Sequence, residues 1–150
     1  MSQQEPSIAR EKQKIVLVFG AFDLFHPGHE YFLREAVKHG DRLVVVVARD
    51  KNVEQLKGDR PREDEEVRRS NVENFEVVDE ARLGYEDWEQ REQVLQDIEP
   101  DIICLGYDQR VEVPEGAWKV VRIEAFQPEK YKTSLMREKK EAAAAPDEEE

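Results

Sequence analysis

Ile15-Val16-Leu17-Val18-Phe19-Gly20-Ala21-Phe22-Asp23-Leu24-Phe25-His26-Pro27-Gly28-His29 is the stretch on which the reading of this chain turns. Residues 15–19 are five consecutive apolar side chains. The run is too short for a helix and lacks polar alternation, as in a strand covered on both faces. Residues 20–26 are turn-forming. Pro27 and Gly28 then open a helix expected to reach His39, with Phe32, Leu33, Ala36 and Val37 on one face and Gly40 as its stop. A buried strand that turns sharply into a helix is the first half of a βαβ unit.

Outward from this unit the same alternation continues. Residues 43–48 form a second, valine-rich apolar run. A charged loop is expected over 49–60, and a helix from Pro61 to about Asn74. A weak third strand is expected over 75–78, a helix over 85–98 ended by Pro100, strands over 101–105 and 118–123, and a short helix over 132–140. Helices alternating with unbroken apolar strands predict an α/β fold: a single Rossmann-like, doubly wound, five-stranded parallel sheet over 14–140. Residues 1–13 read as a disordered lead-in and 141–150 as a disordered acidic tail. Ligands of such sheets bind outside the carboxyl ends of the strands where strand order reverses, so the loops after the first and fourth strands matter most.

Composition narrows the partners. The 150 residues suit one domain with one core. The formal net charge is -12, with Asp147, Glu148, Glu149 and Glu150 closing the chain, and that field repels a phosphate backbone. A nucleic-acid partner is therefore not expected. Cys104 is the one cysteine, which fits a reducing cytoplasm and, in an apolar strand, a core role. No stretch is long enough to span a bilayer, and the polar start lacks the centre of a signal peptide. The expected location is cytoplasmic, away from membranes.

The turn itself carries chemistry. Backbone amides at a helix start, with the positive end of its dipole, hold phosphate oxygens. Gly20 and Gly28 would let backbone approach a ligand closely. His26 and His29 share one face of the first helical turn and can donate hydrogen bonds to a triphosphate. There they would stabilise charge growing on bridging and leaving oxygens while an acceptor phosphate attacks the alpha phosphorus. Each histidine alone also reads as a capping or exposed residue. The two could bind a metal, but no third ligand lies nearby, and no protein metal site is expected.

The ten residues from Gly20 to His29 match, at every fixed position, the G-x-F-D-x-x-H-x-G-H signature of the cytidylyltransferase-like nucleotidyltransferases. The chain resembles that family over roughly 14–140. Its members include glycerol-3-phosphate and choline-phosphate cytidylyltransferases and archaeal-type FAD synthases. The resemblance implies transfer of a nucleoside monophosphate from ATP or CTP to a phosphorylated small molecule, with release of pyrophosphate. It implies Mg²⁺ or another divalent cation with the triphosphate, and a homodimer. By the same resemblance His26, His29 and Lys57 are the catalytic candidates, with Lys51 second to Lys57. Gly20, Ala21, Phe22, Asp23, Gly28, Gly106, Asp108, Gln109, Thr133, Ser134 and Arg137 are the nucleotide-binding candidates, and Arg68 the acceptor-binding one. Arg68 reads equally well as a surface residue paired with Glu65 or Glu66, and Thr133 or Ser134 as a helix cap.

Leu105-Gly106-Tyr107-Asp108-Gln109 is similar to the FAD-synthase branch, which favours flavin mononucleotide as acceptor and ATP as donor. The stretch from Phe126 to Lys130 departs from the glycerol-phosphate branch. A cytidylyltransferase acting on glycerol 3-phosphate or another polyol phosphate remains the alternative, and a nucleotide-binding regulatory subunit the non-enzymatic one. Trp88 and Trp118 are read as packing residues rather than base platforms.

Overall fold

The structure, a computed structural model, describes residues 13–109 and 113–124. Strand β1 is Ile15–Gly20, followed by helix α1, Pro27–Val37, strand β2, Arg42–Val47, and helix α2, Asp50–Lys57. Helix α3 is Glu65–Glu73 and strand β3 is Glu80–Leu83. After a single 3-10 turn at Trp88–Gln90 come helix α4, Gln93–Ile98, strand β4, Ile102–Leu105, and strand β5, Lys119–Arg122. The strands form one sheet in the order β3-β2-β1-β4-β5. Every pairing is parallel. The Rossmann-like five-stranded fold expected from the alternation is the fold observed.

Side chains of a strand point alternately to its two faces, and here both faces are covered. Val16, Val18, Val45, Val47 and Cys104 pack with Leu33 and Ala36 of α1 and Val72 of α3. Leu17, Val44, Val46, Ile103 and Leu105 pack with Val94 and Leu95 of α4. That two-sided burial is why the strands are continuous apolar runs. It also gives Trp118 the packing role expected of it, against the α4 face. Trp88 differs: it lies at the surface with the Arg91 guanidinium over its ring, 4.7 Å from the centroid.

The chain lays β1, β2 and β3 outward in one direction, then returns to place β4 on the other side of β1. Strand order therefore reverses between β1 and β4, and the crevice at their carboxyl ends is where the motif loop emerges.

Three elements differ from expectation. Residues 49–60 were expected as loop, yet α2 occupies Asp50–Lys57; it buries little, only Asn52 and Val53, so its apolar period is faint. The third strand is not 75–78 but Glu80–Leu83. Phe75, Val77 and Val78 instead pack onto the core from the connection, while the edge strand carries charged residues outward. The helix expected over 85–98 is the 3-10 turn and the short α4. Asp87 caps Glu89 N, and residues 86–92 are exposed, so no apolar stripe extends the helix forward. Residues 1–12 of the lead-in, the acidic tail and the helix expected at 132–140 lie outside the described residues. Among the described residues, no helix is long and apolar enough to cross a membrane.

Candidate active site

The two histidines build the start of α1. His26 is its N-cap, and its Nδ1 accepts a hydrogen bond from Gly28 N at 3.1 Å. His29 reaches back, its Nδ1 accepting from His26 N at 3.3 Å. This is a capping box made of imidazoles, satisfying backbone donors that a helix start leaves unpaired. The rings stack with centroids 3.8 Å apart. A Cβ on Gly28 would stand 2.9 Å from His26 Cε1 and 3.1 Å from its Nδ1, so only glycine lets the His26 ring lie over the helix start. With Nδ1 of each ring accepting from backbone, a neutral imidazole carries its proton on Nε2.

His29 is held neutral. Burial lowers its pKa from 6.5 to about 3, with coupling to His26 and Lys57 adding to the effect and Asp23 opposing it. Phe22 presents an edge to the ring at 5.2 Å, and Phe25 stacks on it at 5.5 Å. His29 thus offers an N–H donor rather than an imidazolium. Lys57 is exposed, yet close enough to His29 to act on its protonation.

The loop between β1 and α1 is strained. Phe22 and Leu24 both lie in the left-handed region, at φ 54° and 49°, which costs about 1–3 kcal/mol per non-glycine residue. The surroundings fix it. Asp23 accepts from Arg62 N at 2.8 Å and Glu63 N at 3.0 Å, and Glu63 in turn accepts from Leu24 N at 3.1 Å. The Phe22 ring folds under Gly20, where a Cβ would meet it at 2.6 Å. The Asp23 carboxylate is therefore directed at protein, holding the loop to the segment before α3.

Arg68 requires a correction. Its guanidinium was expected to face an acceptor phosphate or a surface glutamate. It is fully buried, and Nε donates to Glu63 O, Nη1 to Ala21 O at 2.8 Å, and Nη2 to Asp50 Oδ1 at 2.7 Å. All three nitrogens serve the interior, so it buttresses the motif loop rather than gripping a ligand. Arg69 makes the helical-spacing pairs instead, with Glu66 and Glu73. Asp50 and Glu63, the anchors of this arrangement, were not expected to take part in the site. Only their position just beyond β2 and before α3 hinted at them. Glu65, weighed as a surface partner of Arg68, instead pairs with Arg49 and accepts from Asp50 N.

On the β4 side, Gln109 spans the crevice. Its Oε1 accepts from Gly106 N at 3.0 Å and its Nε2 donates to Phe19 O at 3.1 Å, joining the carboxyl ends of β4 and β1. Arg122 clamps the same loop through Gly106 O and Gln109 O. A methyl at Gly106 would make only ordinary contacts with Gln109, Asp108 and Phe32. The close approach expected there is therefore not forced by the protein itself. Asp108 stands exposed at the mouth. Thr133, Ser134 and Arg137 lie outside the described residues.

Comparison with known proteins bears on this geometry. A family model described as cytidylyltransferase-like matches residues 17–141. The chain belongs to the cytidylyltransferase-like family. FAD synthases of Aciduliprofundum boonei, Ferroglobus placidus and Archaeoglobus fulgidus are 51%, 51% and 50% identical to it over 100, 96 and 90 residues. Those alignments cover 67%, 64% and 60% of this chain and 65%, 60% and 63% of theirs. The match thus spans less than two thirds of the length of these relatives. A crystal structure of the lipopolysaccharide core biosynthesis protein from Thermoplasma volcanium GSS1 superposes with a TM-score of 0.69 at 37% identity, covering 77% of this chain and 99% of that one.

Within this cytidylyltransferase-like chain, the carboxyl end of β1 thus brings together a helix start, two stacked imidazoles and a nearby lysine. Gln109 closes the opposite wall. Such an arrangement can bind a polyphosphate and stabilise charge developing on it without covalent chemistry.

Proposed function

We propose that this chain is a nucleotidyltransferase that adenylates flavin mononucleotide with ATP, making FAD and pyrophosphate. The observation that carries the reading is the 50–51% identity to three archaeal FAD synthases. The stacked imidazole pair supports the reaction class. In the reaction an acceptor phosphate oxygen attacks the alpha phosphorus, and the bond to the beta-phosphate oxygen breaks as pyrophosphate leaves. His26 and His29 would donate Nε2–H to the oxygens on which charge grows, and Lys57 would balance the triphosphate. The amides from Ala21 to Asp23 and at the start of α1 would seat phosphate, with Gly106, Asp108 and Gln109 beside the nucleoside. Thr133, Ser134 and Arg137 would complete the phosphate site. Among the described residues no three His, Cys, Asp or Glu side chains gather as a cation site. A divalent cation would therefore ride chiefly on the phosphates, neutralising them together.

A second reading is favoured by one observation. The Thermoplasma relative, matched along 99% of its length, is described as a lipopolysaccharide core biosynthesis protein. A cytidylyltransferase acting on a polyol phosphate would suit that description. Pyrophosphate release separates the readings. ATP with flavin mononucleotide is the expected productive pair, and CTP with glycerol 3-phosphate the rival. Triphosphate binding without pyrophosphate release from any acceptor would favour a regulatory subunit. We further propose a cytoplasmic homodimer, to be checked by light scattering.

A further inference from the structure

With Arg68 buried, a second and exposed guanidinium, that of Arg60, sits on the same carboxylate. Asp50 divides its oxygens. Oδ1 takes Arg68 Nη2 at 2.7 Å, while Oδ2 faces Arg60 Nη2 at 3.5 Å. Arg60 Nη1 stands 3.9 Å from Glu54 Oε1. These contacts are too long for good hydrogen bonds, and the Arg60 side chain is 64% exposed. Attraction of this loose, solvated kind is weak. Releasing Arg60 would leave the Asp50–Arg68 pair, and through it the Ala21 contact, in place.

Its neighbours set Arg60 at the edge of the site. Lys57, three residues earlier, already acts on His29. Gly58 follows in the left-handed region at φ 88°, ending α2 and turning the chain toward Arg60, with nothing within 4 Å of where a Cβ would stand. Arg62 N is fixed to Asp23 of the motif loop. Residues 57–62 are thus a short basic strap, Lys57, Arg60 and Arg62 against Asp59 alone, tied at its far end to the phosphate loop. A phosphomonoester dianion offers a guanidinium two parallel charge-assisted bonds, a better partner than carboxylates at these distances.

We propose that Arg60 grips the phosphate of the acceptor, and that Asp50 and Glu54 hold it at rest until that phosphate arrives. The assignment rests on the reading of this chain as an enzyme with a phosphorylated flavin acceptor. Riboflavin is that acceptor without its phosphate, so the two ligands isolate the contact. Flavin fluorescence titrations would compare flavin mononucleotide with riboflavin on the full chain, on Arg60→Ala and on Arg60→Lys. Calorimetry with a non-hydrolysable ATP analogue would run in parallel. Arg60→Ala should weaken flavin mononucleotide binding by about 10- to 100-fold and leave riboflavin and the ATP analogue unchanged, with Arg60→Lys between. A preference for the phosphorylated flavin that survives in Arg60→Ala would overturn the assignment. A loss confined to the ATP analogue, or shared by all three ligands, would overturn it equally. If wild type binds neither flavin, the flavin reading itself fails and this assignment goes with it, a result distinct from the others.

Discussion

Burial holds His29 near pKa 3 against an ordinary 6.5, so as pH falls through that interval the unfolded chain takes up a proton that the folded chain refuses. The stability this neutral ring contributes is present above about pH 6.5 and is lost progressively toward pH 3. Urea midpoints measured across that range should decline for the wild type, and His29→Asn should flatten its share of the slope. An unchanged slope would mean that His29 titrates normally. Gly28 is the companion test. A methyl there would push the His26 ring aside, while α1 itself tolerates alanine well. Gly28→Ala should therefore lower kcat/KM by about 100-fold, the cost of misplacing a group by an ångström, with the melting temperature nearly kept. Both effects were half legible in the sequence. The motif announced the two histidines and the glycine, and capping was weighed against catalysis for each ring. In each ring Nδ1 caps the helix start, a role that only the reciprocal bonds of His26 and His29 reveal.

Arg68 joins three elements: it rises from α3, meets Asp50 at the start of α2, and supports the carbonyl of Ala21 after β1. Removing one partner of a buried ion pair strands the other. Arg68→Met should destabilise the fold by about 3–5 kcal/mol in denaturant titration, and Arg68→Lys should restore little, since an ammonium cannot reach three acceptors in a plane. A loss under about 1 kcal/mol would refute this bracing role. The elements that sequence reading found are those whose burial imprints a period. β1, β2 and β4 are covered on both faces and read as apolar runs; α1 shows its stripe through Leu33 and Ala36. β3 lies at the sheet edge, buries Ala81 and keeps charged Glu80 and Arg82, so the more apolar Phe75, Val77 and Val78 were mistaken for it. α2 buries Asn52 beside Val53, and a polar residue in the buried set erased its signature. Asn52 Nδ2 donates to Tyr85 O, a contact 33 residues distant that no local pattern contains.

At the scale of the molecule, the -12 charge and the basic strap at residues 57–62 pull in opposite directions on an anionic ligand. The local cations must win for a triphosphate to bind, so binding should be helped by a divalent cation that cancels charge on the ligand. A non-hydrolysable ATP analogue at 100 times its dissociation constant, with Mg²⁺, should stabilise the fold by about 2.7 kcal/mol. Thermal unfolding would register this as a rise of several degrees, smaller when the cation is chelated, and no shift at all would contradict nucleotide binding. Topology was the most readable property here, because alternation of buried strands with helices leaves few ways to fold, and the reversal between β1 and β4 follows from it. The capping box sets a limit on transplanting this chemistry. The rings proposed to carry the chemistry also tie down the first turn of α1. A graft of the two histidines onto a foreign scaffold would have to carry the glycine between them and the beginning of a helix, or the imidazoles would have nothing to hold them in register.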